Sequence, residues 1–290
     1  MYMKFDIREF ERSEWPERLL EIPQPPQKLY LAGNLPSENS GYKFLCVVGS
    51  RKYTNYGAEI VHKLISGLAG SKVCIVSGLA LGIDTIAHRA AIEAGLPTIA
   101  VPGSGLDPKS IYPSTNISLA EKVIEKGGAL VSEFEPNFKA TTWSFPQRNR
   151  IMAGLSHAIL VIEAEAKSGT LITARMATDY NRDVLTVPGS IFSSTSEGPH
   201  LLLKLGATPI TSSADILEAL GLQTKTANLT LNLDDCSPEE RKIIECLTEP
   251  LERDDLAIKA NITITELNTV LTLMEIKGLI SENGGQIYLK

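Results

Sequence analysis

Residues Phe145, Pro146, Gln147, Arg148, Asn149 and Arg150 put an aromatic ring, two cations and an amide within six positions, just ahead of a helical stretch at 148–155. That set suits a flexible polyanion with planar bases, because a ring stacks one base while a guanidinium holds a phosphate. The plainer alternative is a helix start with Phe145 in the core. Gly49, Ser50 and Arg51 form a smaller set directly after an apolar run. Their N–H groups and the next helix N-terminus would receive phosphate, with the guanidinium as a clamp. A tight turn with a solvated arginine would read the same way. Residues 77–84, SGLALGID, set Gly78 and Gly82 around a sharp strand-to-helix turn where small residues let a ligand approach the backbone. Asp84 there either caps the helix, packs, or contacts Arg51. Lys167, Ser168, Gly169 and Thr170 bring a cation, hydroxyls and amides to another helix start. Trp143 is either a second stacking surface or a buried anchor.

Other chemistries find less support. His62, His88, His157 and His200 are dispersed, and Cys46, Cys74, Cys236 and Cys246 lack CxxC spacing, so the pattern predicts buried reduced thiols and no metal site. The stretch Gly103, Ser104, Gly105, Leu106, Asp107, Pro108 lacks the third glycine of a GxGxxG fingerprint and follows the third strand rather than the first. No GxxxxGK[ST] loop occurs either. The reading assigns no cofactor and no catalytic residue.

The elements that must position these residues are six short apolar runs at 44–49, 73–78, 98–103, 129–133, 158–164 and 184–189. They are too short for buried helices and apolar on both faces, as in a covered parallel sheet. Helical spacing fills the gaps at 56–68, 83–94, 114–126, 148–155 and 171–180. The alternation predicts an α/β fold with an extended Rossmann-like, mostly parallel, doubly wound sheet. Every glycine-rich or carboxylate-ended turn then lies on one edge, outside the carboxyl ends of the strands, where open sheets bind ligands.

After a polar stretch at 222–237, read as a linker, three helical segments around 239–248, 254–259 and 265–277 precede two short strands, a small winged-helix-like domain over 238–290. Residues 1–40 are read as an N-terminal extension and 41–221 as the DNA-binding Rossmann-like domain. Net charge is −6 over 290 residues, but residues 222–290 carry 7 Lys and Arg against 12 Asp and Glu, leaving 21 against 22 before them. A basic pocket thus fits the first part. The third C-terminal helix has no Lys or Arg before Lys277, which suits a protein contact better than a duplex groove. The charged N-terminus has no apolar signal region and no stretch reaches spanning length, so the expected location is the cytoplasm.

The ordered set GSR (49–51), SGLALGID (77–84), Tyr112 and Pro113 after PGSGLD, SE (132–133), FPQRNRIMAGLS (145–156), EAEAKSGTLITA (163–174), VPGS (187–190) and Gly206 with Ala207 resembles the DNA-processing protein A (DprA) family over about residues 15–220. The tail is similar to the winged helix many members carry. The resemblance implies a non-enzymatic homodimer, paired through the Rossmann-like domain, that binds single-stranded DNA without sequence preference. It also implies protection of incoming DNA in natural transformation and loading of the RecA recombinase. By the same resemblance Gly49, Ser50 and Arg51 hold the backbone, Gly78, Gly82 and Asp84 shape the pocket, and Phe145, Arg148 and Asn149 contact the strand. Two departures stand out. The helical SAM-type domain of some members is not expected in the residues before the first strand. The basic residue some members carry just before the Phe motif is replaced by Thr141, Thr142 and Trp143, with Lys139 the nearest cation. The competing enzyme reading is a phosphoribohydrolase of the lysine-decarboxylase-like group, with Glu133 or Glu163 stabilising an oxocarbenium-like sugar. The chain lacks the PGGxGTxxE string of that group.

Overall fold

A computed structural model describes residues 5–36, 38–222, 236–247, 251–277, 279–283 and 285–289. The chain divides into two compact units, residues 1–223 and 224–290. In chain order the first unit contains β1 (Ile7–Glu9), α1 (Glu17–Leu20), β2 (Tyr30–Gly33), β3 (Lys43–Val48), α2 (Asn55–Ser66), β4 (Val73–Ser77), α3 (Ile83–Glu93) and β5 (Thr98–Ala100). It continues through α4 (Ile117–Glu125), β6 (Ala129–Ser132), α5 (Ser144–Leu155), β7 (Ala158–Val161), α6 (Gly169–Asp179), β8 (Asp183–Thr186), α7 (Glu197–Lys204), β9 (Thr208–Pro209) and α8 (Ser213–Ala219).

Alternation along β3 shows why the sheet is covered on both sides. Phe44, Cys46 and Val48 point into a core shared with α5 and α6, while Leu45 and Val47 point into one shared with α2, α3 and α8. Each fully buried aliphatic or aromatic side chain contributes about 1.5–3 kcal/mol. The nine strands run in the order β1-β2-β6-β5-β4-β3-β7-β8-β9. From β3 to β9 neighbouring strands are parallel, as are β5 and β6, whereas β2 pairs antiparallel with both β1 and β6. From β3 the chain winds outward through β4, β5 and β6, then returns across β3 to β7 and continues through β8. The order therefore reverses between β3 and β7, and a crevice opens there at the carboxyl edge.

Two expectations are corrected. The stretch read as an extension over 1–40 is integral to the sheet: β1 and β2 extend it past β6, and Phe10, Trp15, Leu19 and Leu31 are buried in its core. Strands of three and four residues are too short for periodicity to mark them. Phe145 also lies inside α5, not ahead of it. The Ser144 hydroxyl donates to the Gly103 carbonyl at 2.5 Å and sets the helix start, and Pro146 falls in the first turn, where a missing N–H breaks no helical bond. The 222–237 linker falls almost wholly outside the described residues.

The second unit holds α9 (Pro238–Cys246), β10 (Leu251–Glu252), α10 (Arg253–Ala260), α11 (Ile264–Ile276), β11 (Ile280–Asn283) and β12 (Gln286–Leu289). The strands order as β10-β12-β11, all antiparallel, and the helices close over Ile243, Leu256, Leu267, Leu271, Met274 and Ile287. That is a winged helix. Among the described residues no helix is long and apolar enough to cross a membrane.

Candidate nucleic-acid interface

A cleft of about 390 Å³ occupies the crevice between the loops after β3 and β7. Its wall on the β3 side is the turn at 49–52. The Ser50 hydroxyl accepts from the Lys52 amide at 3.0 Å and donates to the Lys52 carbonyl at 2.7 Å, so it closes this turn on itself. The Ser50 carbonyl accepts from the Ile83 amide at 3.2 Å. Gly82 sits at φ +83, and a Cβ there would overlap the backbone of Ser50 and Arg51. Glycine at 82 is thus what lets the α3 start dock on the turn. Gly49 is small for a matching reason, since Ile83 fills the space its side chain would take. These contacts leave Arg51 and Lys52 exposed at the mouth.

The wall on the β7 side is the start of α6. Ser168 caps it, accepting from the Thr170 amide at 3.2 Å, and the Thr170 hydroxyl donates to the Gly49 carbonyl at 3.3 Å, tying the two walls together. A helix N-terminus of this kind favours negative charge. Glu165, also exposed, lines the same wall and opposes it.

Beneath lies a buried polar floor. Asp84 accepts from the Gly78 amide at 3.0 Å, and Arg148, only 5% exposed, donates to the Val101 carbonyl at 2.6 Å. Burial pushes the Asp84 carboxyl up from its ordinary value, and Arg148 partly offsets that. Burial likewise lowers Arg148, which Asp84 opposes. His88 is pushed down to about 3 by burial and then by the charge of Arg148, so it stays neutral. A Cβ at Gly78 would overlap the Arg148 guanidinium, so glycine is required for that side chain to lie flat. With the two floor charges set against each other, Arg51 and Lys52 outweigh Glu165 in the lining of the cleft, a local positive surplus in a chain of net charge −6.

Aromatic rings line the rim. The Arg51 guanidinium lies 5.5 Å from the centre of the Phe145 ring, whose other neighbour is Tyr112 at 5.7 Å. Phe145 rests on Gly103, where a Cβ would overlap the ring. Tyr112, which lines the adjoining small pocket, is 50% exposed; Trp143 does not line the cleft and is 54% exposed. Trp143 also makes edge contacts with Phe134 and Phe138, so it is at once anchored and open.

Of the residues singled out from the sequence, the cleft gathers Gly49, Ser50, Arg51, Asp84, Phe145, Arg148, Asn149, Ser168, Gly169 and Thr170. Gly78 lines a small adjoining pocket with Leu81, Tyr112 and Phe145. Four expectations change. Arg148 lines the cleft but is almost wholly buried, with its guanidinium donating to the Val101 carbonyl rather than standing out at the mouth. Asp84 is not the helix cap, because Gly82 holds that position, and it braces Gly78 instead. Arg150 turns to the opposite side of α5, where it pairs with Glu133 and donates to the Gln24 carbonyl at 2.6 Å. Gly82 and Lys167 do not line the cleft; the first shapes it from behind and the second is exposed to solvent.

Lys52, Ile172 and Thr173 line the cleft without having been singled out. Adjacency to Arg51 was the available signal for Lys52. The carboxylates of the enzyme reading are both engaged elsewhere. Glu163 accepts from the Thr54 amide and hydroxyl and from the Thr195 hydroxyl, at 2.9, 2.6 and 3.0 Å, while Glu133 is held by Arg150. Lys139 is exposed and does not line the cleft.

Comparison with known proteins follows the same division. Residues 6–221 match the family model of DNA recombination-mediator protein A, and residues 225–286 match the DprA winged helix domain. The chain is 37% identical over 285 residues to protein Smf of Escherichia coli (strain K12), covering 95% of this chain and 75% of that one. The crystal structure of DNA processing protein A from Streptococcus pneumoniae superposes with a TM-score of 0.69 at 39% identity, covering 75% of this chain and 76% of that one. DNA processing protein A from Helicobacter pylori, whose structure is described for its single-stranded DNA binding mode, superposes with a TM-score of 0.66 at 30% identity over 75% of this chain and 98% of that one.

Proposed function

The chain belongs to the DNA recombination-mediator protein A family, and on that premise we propose that its carboxyl-edge cleft binds single-stranded DNA without sequence preference, shields it, and delivers it to the RecA recombinase in the cytoplasm. The observation that carries this reading is the Arg51 guanidinium set against the Phe145 ring at the mouth of an amide-lined cleft. A phosphate met by a cation and a base met by a ring face are contacts every nucleotide can make, so the site tolerates any sequence. Stacking on a protein ring needs a base whose face is open, and a duplex hides its base faces. The function assigned to the cleft is holding the strand rather than chemistry, which accords with Glu133 and Glu163 being engaged in structural contacts.

The proposed assembly is a homodimer through the first unit. Its support is an apolar groove of about 540 Å³ between α6 and α7, beside which Leu201 is 45% and Leu205 74% exposed. Leu205→Arg should shift the protein toward monomer in sedimentation velocity.

Titration of a labelled oligothymidine against the matching duplex at two salt concentrations tests the binding proposal. Preferential, salt-sensitive binding of the single strand is expected. Equal affinity for both, or binding to neither, would overturn it.

A further inference from the structure

Beyond the cleft, the next loop along the same sheet edge follows β8 and carries two apolar side chains that nothing in the first unit's core or rim explains. The Ser193 amide bonds to the Ser190 carbonyl at 3.1 Å and the Phe192 amide to the Ser190 hydroxyl at 3.3 Å, forming a tight turn with Ile191 and Phe192 at its tip. Ile191 is 80% and Phe192 94% exposed. A lone exposed apolar residue needs no explanation. An adjacent pair held out on a braced turn does.

The bracing leads back to the cleft. Glu163 grips Thr195, at the foot of this loop, and Thr54, at the exit of the Arg51 turn. The Tyr56 hydroxyl, on the first turn of α2, donates to the Pro188 carbonyl at 2.8 Å. Tyr53 and Tyr56 are 47% and 48% exposed. The edge therefore carries aromatic rings from Tyr112 and Phe145, through Tyr53 and Tyr56, to Phe192. β8 neighbours β7 in the sheet, so the root of this loop lies one to two strand spacings, ~5–10 Å, from the strands that flank the cleft. That span is about two to three stacked bases at ~3.4 Å each.

We propose that Phe192, supported by Ile191, is a second base-stacking station that takes the nucleotides leaving the Arg51–Phe145 cleft, with Glu163 holding the two stations in register. The occupant is single-stranded DNA because the tip continues the edge that carries the cleft and is joined to its wall by the Glu163 contacts; the inference rests on the single-strand reading of that cleft. Stacking on one ring alters affinity by about five- to a hundredfold per base. The penalty of losing Phe192 should therefore depend on how far the strand reaches.

Oligothymidines of about 4 to about 16 nucleotides are titrated against the full chain, Phe192→Ala and Arg51→Ala. For Phe192→Ala the expected result is affinity unchanged on the shortest strands and about tenfold weaker on the longest, with Phe192→Trp restoring it. Arg51→Ala weakens binding at every length. If Arg51→Ala weakens binding but Phe192→Ala is neutral at all lengths, the second station is overturned and the cleft stands. Should Arg51→Ala be neutral as well, the cleft reading itself has failed. Loss of dimer in sedimentation of Phe192→Ala would make the tip a subunit contact and overturn the station on separate grounds.

Discussion

The cleft between β3 and β7 and the outer face of α11 are both places where the fold type alone would suggest nucleic acid, and their side chains differ in kind. The cleft is lined by Arg51, Lys52 and Phe145 and closed on its β7 side by the start of α6. Helix α11, in the position of a recognition helix, carries no Lys or Arg. Its Thr269 and Thr272 hydroxyls bond back to the carbonyls of Thr265 and Asn268 at 3.1 and 2.8 Å, and Ile264 and Leu273 on the same helix are exposed. Arg253, at the start of α10, donates to Glu282 and to Asn268 on α11. A winged helix is a scaffold; whether it meets phosphate depends on which side chains it presents.

The largest effect expected in this contrast lies beneath the cleft. Arg148→Ala removes the buried guanidinium that favours the charged form of Asp84, together with its hydrogen bond to the Val101 carbonyl, and should cost about 1–3 kcal/mol of stability, read as a lower urea midpoint. A full-strength midpoint with a reduced salt slope of binding would instead place Arg148 among the phosphate contacts. Arg51→Ala should do the opposite, leaving the midpoint within about 0.5 kcal/mol while lowering the salt slope by about one. Removing residues 236–290 should change single-strand affinity by less than about threefold, since α11 offers no phosphate contact. A loss as large as that of Arg51→Ala would move the binding face to the winged helix.

How much of this was legible differs by residue. The six central strands and the loops after them were readable because a covered parallel strand is apolar on both faces and ends in small residues, and that edge fixes the crevice by topology. The FPQRNR segment was legible as a cluster but not as an arrangement. Successive residues on a helix turn by about 100°, so Arg148 goes to the sheet, Asn149 to the cleft and Arg150 to Glu133, though all three are neighbours in sequence. Glu163 was legible as a carboxylate at a strand end, but not as a clamp on Thr54 and Thr195, because those partners lie 109 and 32 residues away. The short strands β1 and β2 carried too few residues for any period to register.

The smallest effect is a pH dependence of opposite sign in the two regions. Glu240, on α9, is lowered by the hydrogen bond from Lys277, with burial opposing and the Ser237 amide assisting. A carboxyl held below its unfolded value adds stability above the ordinary carboxylate range and loses it as pH falls through the folded value. Asp84 is raised, so its contribution is fullest when protonated and declines as pH rises through its folded value. Acidification from pH 6 toward 3.5 should therefore loosen the winged helix while leaving the floor of the cleft firm, by an amount on the order of 1 kcal/mol given the exposure of Lys277. Amide hydrogen exchange followed along that titration should show protection falling in α9 and α11 before α3 and β4. Glu240→Gln should flatten the response of the winged helix alone. If protection in α3 falls first, the Asp84–Arg148 floor is the acid-labile element, and the contrast between a charge-compensated cleft and a lysine-tethered winged helix is reversed.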